Sequence, residues 1–436
     1  MIKWISTRSR APSVDFISAL NTGLAPDGGL YIPEAFPSFN ETELKTLPVE
    51  LPKLAQAIFE NFCKGTLLEK ELSGICTRAF SFPVPVKSLN PWIDRTSVLE
   101  LFHGPTAAFK DVGARFLAET LGAIPHPSPK RTVLVATSGD TGGAVAAAFD
   151  QKTAFEVVIL YPKGRISPRQ EKQLTCWSDT IQALRVDGTF DDCQRLVKQA
   201  FLDKKLKTQK TLISANSINI GRILPQTIYY ASASLAHYRQ TGNAPGFIIP
   251  SGNLGNATGA LWAKKMGFPI EKVILAHNAN HGVPDFLKSG TWQDFPTLST
   301  LANAMDVARP SNLERIRAFF TSTEDLQRHL MAISVSDEQI QGTIKQLGQN
   351  GGPIFCPHTA TAAFVRSTLE SKDQTHWIIV ATAHPSKFET VVEPLIQKSI
   401  PIPRALNDIL SKPSRFTDIQ ADFQELEAFL LKSVSR

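Results

Sequence analysis

The sequence lacks the residue patterns that mark several common classes of protein. Its five cysteines are widely scattered and form no CxxC pair, so neither a disulfide framework nor a zinc knuckle is predicted. Its nine histidines form no HExxH motif, and we expect no metal site. The first residues lack the apolar core of a secretion signal, and no apolar run approaches the ~18 residues of a membrane span. We therefore expect a soluble, cytoplasmic protein.

Neither positive nor negative charge is concentrated in one part of the sequence. The net charge of +6 arises from 46 basic and 40 acidic side chains that are spread along the chain. The absence of long like-charge runs argues against a nucleic-acid or membrane partner, whereas a small excess of cations suits an anionic small-molecule substrate. We expect the chain to act as a monomer or a homodimer.

Short apolar runs alternate with helical patterns from about residue 97 onward. Most of these runs are nearly continuously apolar and do not alternate, as expected for parallel strands that are covered on both faces. The pattern predicts an α/β fold with open, mostly parallel sheets, and a tail of helices joined by polar turns after about residue 405. The predicted strands lie in "RTVLVAT", "FEVVILYP", "KTLISAN", "GFIIPS", "EKVILAHN" and "HWIIVATA".

Lys110, in "HGPTAAFKDVGARFLAETLGA", lies on the apolar side of a predicted helix. At about 100° per residue, Asp111, Arg115 and Glu119 form a polar stripe that excludes it. A lysine in this position either extends its stem toward water or is buried. Burial would lower its pKa and make it a nucleophile or a Schiff-base former. From this segment alone both interpretations stay open.

Two predicted strands run directly into glycine-rich loops that begin helices. The first loop is "SGDTGG", after residue 137, and the second is "SGNLGNATG", which begins at Ser251. Such loops direct backbone N–H groups and a helix N-terminus at an anion, although glycines can also serve only to turn a tight corner. Neither loop matches a nucleotide-binding signature. We therefore expect separate sites for two anionic groups.

Further polar and basic residues follow two other predicted strands. "KGRISPRQEKQ" places Lys163, Arg165 and Arg169 after one strand, either as a solvated loop or as a clamp for a phosphate. "ISANSINIGRILPQ" contains short hydrogen-bonding side chains and one arginine after another strand, namely Ser214, Asn216, Ser217, Asn219 and Arg222.

Several segments resemble the motifs of the threonine synthase family, whose members are pyridoxal-phosphate enzymes of the tryptophan-synthase-β fold type. They include "FHGPTAAFKD", "TSGDTGGAV", "PSGNLGNATG", "ATAHPSKF" and, near the start, "GLAPDGGLYIP". The resemblance covers nearly the whole chain in order. It implies two sheet-containing lobes with the cofactor between them. The expected regions are residues 1–95 at the N-terminus, 96–210 with the Schiff-base lysine, 211–405 with the cofactor-phosphate loop, and 406–436 as a helical tail.

The resemblance also implies where the cofactor binds. Lys110 would form the Schiff base with pyridoxal 5'-phosphate, and Thr382 would meet its pyridine nitrogen. The loop that would hold the cofactor phosphate comprises Gly252, Asn253, Leu254, Gly255 and Asn256. This loop usually reads GNFGD in the family, so leucine and asparagine here replace an aromatic residue and an acid.

Substrate contacts follow from the same resemblance. The turn after the first predicted strand would hold the substrate carboxylate, through Thr137, Ser138, Gly139, Asp140 and Thr141. Binding of the substrate phosphate is expected from Lys163, Arg165, Asn216 and Arg222, among which Arg165 is favoured.

The implied reaction converts O-phospho-L-homoserine and water to L-threonine and phosphate, the last step of threonine biosynthesis. A serine or threonine dehydratase, or a phospholyase of the same fold, is the nearest alternative. The basic loop that contains Lys163 and Arg165 favours a phosphorylated substrate, because an unphosphorylated one would not need it. A nucleotide-binding or purely structural α/β protein is an alternative of a different class.

Overall fold

The structure is a computed structural model that describes residues 2–126, 130–370 and 373–432. The strands in chain order are β1 (Trp4–Ser6), β2 (Tyr31–Pro33), β3 (Val86–Ser88), β4 (Thr96–Glu100), β5 (Arg131–Ala136), β6 (Phe155–Pro162), β7 (Ile181–Asp187), β8 (Leu212–Ser214), β9 (Gly246–Pro250), β10 (Val273–His277), β11 (Met331–Ser334), β12 (Trp377–Ala381) and β13 (Thr417–Gln420).

Helices separate most of these strands. The α-helices are α1 (Phe16–Thr22), α2 (Glu41–Thr46), α3 (Leu51–Cys63), α4 (Leu72–Ala79), α5 (Lys110–Ala123), α6 (Asp140–Phe149), α7 (Pro168–Thr175), α8 (Phe190–Leu202), α9 (Lys204–Gln209), α10 (Ile220–Ile223), α11 (Thr227–Thr241), α12 (Gly255–Lys265), α13 (Gly282–Ser289), α14 (Leu313–Arg317), α15 (Thr323–His329), α16 (Asp337–Gln349), α17 (Pro357–Thr368), α18 (Glu389–Ile396), α19 (Arg404–Leu410) and α20 (Phe423–Lys432). Short 3₁₀ helices occupy Leu224–Gln226, Asn303–Met305 and Pro385–Phe388. None of the helices in the described ranges is long and apolar enough to cross a membrane.

Two mostly parallel sheets form the centre of the molecule. A six-stranded sheet has the order β11-β10-β9-β12-β4-β3, with only β3 antiparallel to its neighbour, and a five-stranded sheet has the order β13-β7-β6-β5-β8, all parallel. Strands β1 and β2 pair separately in the N-terminal region. The predicted α/β class, with two largely parallel sheets, is confirmed.

All of the predicted strands occur in these sheets, but others escaped prediction. Strand β7 has partly exposed polar side chains within it, and β13 is exposed at three of its four positions, so neither forms a continuous apolar run. The predicted all-helical tail is therefore wrong in one respect, since β13 extends the five-stranded sheet from beyond residue 405.

Membership of the sheets also crosses the expected regional bounds. Strand β4 begins at Thr96, within the second expected region, yet it pairs with β12 in the six-stranded sheet. Strand β8 lies in the third expected region, yet it pairs with β5 in the five-stranded sheet. Each sheet thus combines strands that are distant in sequence. As a result, loops from distant segments meet at the sheets' carboxyl edges.

Candidate active site

A cleft with a volume of about 120 Å3 lies where the two sheets meet. In parallel sheets, ligands bind beyond the carboxyl ends of the strands. The turn after β5 and the loop after β9 both line the cleft, one from each sheet. The predicted site residues that line it are Lys110, Thr137, Ser138, Asp140, Thr141, Asn216, Arg222, Gly252, Asn253, Leu254, Gly255, Asn256 and Thr382.

Lys110 is the first residue of α5 and lines the cleft with a partly buried side chain. Burial lowers the pKa of its ammonium to about 8, and the positive charges of Lys387 and Arg222 add to the decrease, while Asp140 opposes it. The positive end of the helix dipole acts in the same direction. An amine with this pKa is partly deprotonated near neutral pH and can act as a nucleophile or a base.

The polar stripe predicted on α5 is only partly correct. Asp111 is buried, and its carboxylate accepts hydrogen bonds from the backbone N–H and the hydroxyl of Thr106, at 2.9 and 2.7 Å. Periodicity alone placed Asp111 toward solvent because it does not account for such local bonds. They fix the backbone that leads into Lys110.

The loop from Gly252 to Asn256 presents a row of backbone donors at the start of α12. None of its N–H groups donates to a protein acceptor within the described residues. Leu254 has a φ of 61°, a left-handed conformation that is unusual for leucine and common at functional sites. Unused N–H groups at a helix N-terminus are the usual binding site for a phosphate.

Side chains around this loop hold it in place. The Asn253 side chain donates to the Ser217 hydroxyl at 2.8 Å and accepts from the N–H of Ser311 at 2.6 Å. The Oδ1 atom of Asn256 accepts from Tyr229 and Tyr230, at 3.0 and 2.5 Å. The Nδ2 atom of Asn256 is buried without a hydrogen-bond partner. It leaves one further donor at the wall of the cleft.

The turn after β5 forms a second, smaller set of donors. The hydroxyl of Thr137 accepts from the N–H groups of Gly139 and Gly142, at 3.0 and 2.9 Å, which closes the turn. The N–H groups of Ser138, Asp140 and Thr141 have no protein acceptor among the described residues. Gly139, within this turn, does not line the cleft, and its own N–H is already bonded to Thr137.

The predicted cations differ in position. Lys163 and Arg165 are exposed on the loop after β6, and neither lines the cleft. Arg222 is buried and lines the cleft, with an Nε atom that has no hydrogen-bond partner. Asn216 also lines the cleft, but its amide is bonded to the backbone of Ala136 through both Oδ1 and Nδ2.

Comparison with known proteins agrees with this geometry. Residues 98–382 match a family described as "Pyridoxal-phosphate dependent enzyme". Residues 3–80 match the family "Threonine synthase N terminus", and residues 359–430 match the family "Threonine synthase, C-terminal". Threonine synthase of Haemophilus influenzae is 41% identical over 96% of this chain and 97% of its own length, and that of Escherichia coli K12 is 38% identical over 99% of both. The chain belongs to the threonine synthase family.

Solved structures of the threonine synthase family share the whole architecture. The Escherichia coli crystal structure superposes with a TM-score of 0.91 at 37% identity, over 99% of this chain and 100% of that one. A pyridoxal-phosphate-bound threonine synthase from Brucella melitensis gives a TM-score of 0.90 at 31% identity over 100% of both chains. Diaminopropionate ammonia lyase from Escherichia coli, at 16% identity and a TM-score of 0.55, shares the fold alone.

The cleft fits the pyridoxal phosphate that the threonine synthase family uses. The unpartnered N–H row from Gly252 to Asn256 and the free Nδ2 of Asn256 are suited to a phosphate. Lys110, with its lowered pKa, is suited to a covalent link with an aldehyde. Thr382 lies beside it, since its carbonyl accepts from the N–H of Phe109 at 2.8 Å, and its hydroxyl has no protein partner in the described ranges.

Two buried residues at or near the cleft were missed from the sequence. His358, in the first turn of α17, lines the cleft, and its Nε2 accepts from the N–H of Ala304 at 3.1 Å. Burial lowers the pKa of His358 to about 4, so its ring is neutral at physiological pH. Lys387, in the 3₁₀ helix after β12, is fully buried. The motif "ATAHPSKF" contains it, but nothing in that pattern distinguishes a buried lysine from an exposed one.

Proposed function

We propose that this chain converts O-phospho-L-homoserine and water to L-threonine and phosphate. The observation that carries the proposal is the convergence of Lys110 and two separate sets of unpartnered backbone donors in one cleft. Once the cofactor phosphate occupies one set of backbone donors, the other set remains for a substrate that carries an amine, a carboxylate and a phosphate. Membership of the threonine synthase family supports the same reaction.

Lys110 would hold the cofactor covalently and, when released from it, remove the proton from Cα of the substrate. Its pKa of about 8 is suited to both tasks near neutral pH. When bound, pyridoxal phosphate supplies an electron sink for the carbanion chemistry. Thr382 would face the pyridine nitrogen with a neutral hydroxyl, which does not force that nitrogen to be protonated.

The two donor sets would divide the anionic groups between them. The loop from Gly252 to Asn256 offers more donors and begins the longer helix, which supports its role as the cofactor-phosphate site. The turn from Ser138 to Thr141 would hold the substrate carboxylate. Thr137 would shape this turn from within, because its hydroxyl is already bonded to the backbone of Gly139 and Gly142.

Labelled water tests the reaction. With O-phospho-L-homoserine in isotopically labelled water, we expect threonine with the oxygen label in its β-hydroxyl and an equal amount of phosphate. Solvent hydrogen should appear at Cα, because that proton is removed early and replaced late. A dehydratase or phospholyase would instead release ammonia and a keto acid. Formation of 2-oxobutanoate as the main product would contradict the proposal.

The substrate phosphate is better assigned to Arg222 than to Arg165, since only Arg222 lines the cleft. We expect Arg222→Gln to lower kcat/KM by about one to two powers of ten, the effect of losing a charge-assisted hydrogen bond of ~1.5–3 kcal/mol. Phosphate should also become a weaker product inhibitor. Arg165→Ala is the matched control and should change both constants less than about twofold. A tenfold effect in the control variant would instead indicate that the loop after β6 moves over the bound substrate.

We further propose that the enzyme acts in the cytoplasm, as a monomer or homodimer, without a nucleic-acid partner. The cysteines are all buried and free, which suits a reducing compartment. Light scattering of the purified protein measures the association state directly.

A further inference from the structure

Lys387 is a lysine without exposed surface that makes two polar contacts near the cleft. Its Nζ lies 2.8 Å from Oδ1 of Asp140 and donates a hydrogen bond to the carbonyl of Thr106 at 2.7 Å. A buried ammonium is strongly destabilising unless it is paired and hydrogen-bonded, and both conditions hold here. The ion pair joins the segment after β12, in the six-stranded sheet, to the first residue of α6, which follows the five-stranded sheet.

Asp140 presents an electrostatic problem for the turn that contains it. The turn from Ser138 to Thr141 is proposed to bind a carboxylate, yet Asp140 places a second carboxylate at the same helix N-terminus. Oδ1 of Asp140 accepts from Nε2 of Gln170 at 3.0 Å, and the neighbouring charge of Lys387 keeps the pKa of Asp140 well below its usual range despite burial. Asp140 is therefore ionised, and an isolated negative charge there would repel the substrate.

Lys387 is the cation in direct contact with this carboxylate. Lys110 also stabilises the charge of Asp140 at a distance, but Lys110 is proposed to be committed to the cofactor. His358 is neutral, because burial lowers its pKa to about 4. Once Lys110 is engaged, the charge of Asp140 therefore has to be balanced by Lys387.

We propose that Lys387 is a positioning residue that neutralises and anchors Asp140, so that the turn from Ser138 to Thr141 can accept the carboxylate of an amino-acid substrate. The inference rests on the proposed function, because it assigns the substrate carboxylate to that turn. Lys387 would thereby contribute to substrate selectivity, because it would affect the binding of ligands that carry the carboxylate and have little effect on ligands that lack it.

Gly139 supports the same arrangement from behind. Its φ of 133° is accessible mainly to glycine, and a Cβ atom placed on it would lie 2.7 Å from Nε2 of Gln170. Gln170 is in turn held by its hydrogen bond to Asp140. Gly139, Gln170, Asp140 and Lys387 thus form one packed group whose outer surface is the anion-binding turn.

A pair of inhibitors isolates the role of the carboxylate. L-2-amino-5-phosphonopentanoate matches the proposed substrate with a carbon in place of the ester oxygen, and 4-aminobutylphosphonate is the same molecule without its carboxylate. For Lys387→Met holoenzyme we expect the inhibition constant of the first compound to rise by about tenfold or more, and that of the second by less than about twofold. Equal weakening of both compounds would overturn the proposal.

Substitution of Asp140, the ion-pair partner of Lys387, provides the decisive control. The double variant Lys387→Met with Asp140→Asn contains no unpaired buried charge, so it should recover affinity for the carboxylate-bearing inhibitor to within about threefold of wild type. Asp140→Asn alone should bind that inhibitor at least as tightly as wild type. If Lys387 only maintains the fold, the double variant will be no better than Lys387→Met, and the proposal fails. The double variant also provides the test if the single variant does not fold.

The same experiment separates this inference from the proposed function. Absence of threonine formation by wild-type enzyme refutes the proposed reaction, whereas the ratio of the two inhibition constants reports on the carboxylate site alone. Wild-type enzyme that binds both inhibitors equally well would show that no carboxylate site exists in this turn. That result overturns the role of Lys387 whatever reaction the enzyme catalyses.

Discussion

Lys110→Ala is expected to give a folded protein that forms no measurable threonine and no longer holds pyridoxal phosphate covalently. Loss of a positioned acid–base group alone lowers kcat by about 10²–10⁴-fold, and loss of the covalent link adds to this decrease. The absorbance of a lysine-bound cofactor should be missing, and borohydride should fix no cofactor to the chain. Visible spectra, mass spectrometry after reduction and the threonine assay measure these three outcomes.

The stability of the Lys110→Ala variant has a predictable dependence on pH. In the cofactor-free protein, burial lowers the pKa of Lys110 from 10.5 to about 8, so folding disfavours its charged form. A lysine with a lowered pKa destabilises the fold fully below pH 8, and this effect fades as the pH rises toward 10.5. The variant should therefore gain most over wild type at neutral pH, as measured by urea unfolding at pH 7 and pH 10.

Lys163→Ala is the matched control for this experiment, because Lys163 is exposed and does not line the cleft. It should retain the cofactor link and change the free energy of unfolding by less than ~0.5 kcal/mol. A Lys110→Ala variant that keeps the spectrum of a lysine-bound cofactor and normal turnover would show that another lysine holds the cofactor. Lys387, the other buried lysine described above, would then be the first to examine.

The sequence predicted the parts of the fold whose environment is uniform. Strands β5, β6, β9, β10 and β12 are buried along their whole length, so each appears in the sequence as a largely apolar run. Strand β13 is polar at most positions and pairs with β7, which is far away in the sequence. Its position depends on tertiary contacts that no local pattern records.

The same distinction applies to the site. Lys110 and the two glycine-rich loops were found because their signals are local: a charge on an apolar face and glycines at strand–helix corners. Lys387 and Asp140 are 247 positions apart in the sequence, and their ion pair is visible only in the fold. Arg165 attracted attention as one of several nearby cations, yet solvent exposure separates it from Arg222, which is buried in the cleft. The sequence shows which residues are charged but not which of them are buried.

Arg315, in α14, illustrates a second long-range element that the sequence did not reveal. Its fully buried guanidinium donates hydrogen bonds to the carbonyls of Tyr31, Ser217 and Ile218, at 3.0, 2.7 and 2.6 Å. It also donates to Oδ1 of Asn312 at 2.6 Å. These acceptors are uncharged. Burial lowers the pKa of Arg315 to about 9, which still leaves it charged at neutral pH.

Asn312 extends this network to the proposed cofactor-phosphate site. Its Nδ2 donates to the carbonyl of Asn253 at 2.9 Å and to the hydroxyl of Ser217 at 3.1 Å. Arg315 therefore connects the N-terminal strand β2 to the loop that presents the unpartnered N–H groups. A change at Arg315 should affect both the stability of the fold and the affinity for the cofactor.

Arg315→Met is expected to lower the free energy of unfolding by about 3 kcal/mol or more, because several buried carbonyls lose a charged donor at once. Cofactor affinity should fall as well, since Asn312 loses the donor that orients its side chain. Urea unfolding of the cofactor-free protein and titration with pyridoxal phosphate measure the two effects separately.

Arg317→Met is the matched control on the same helix. Its guanidinium is exposed and lies over the Phe286 ring, so we expect a change within ~0.5 kcal/mol. Equal unfolding midpoints for the two variants would show that the hydrogen bonds of Arg315 contribute no net stability.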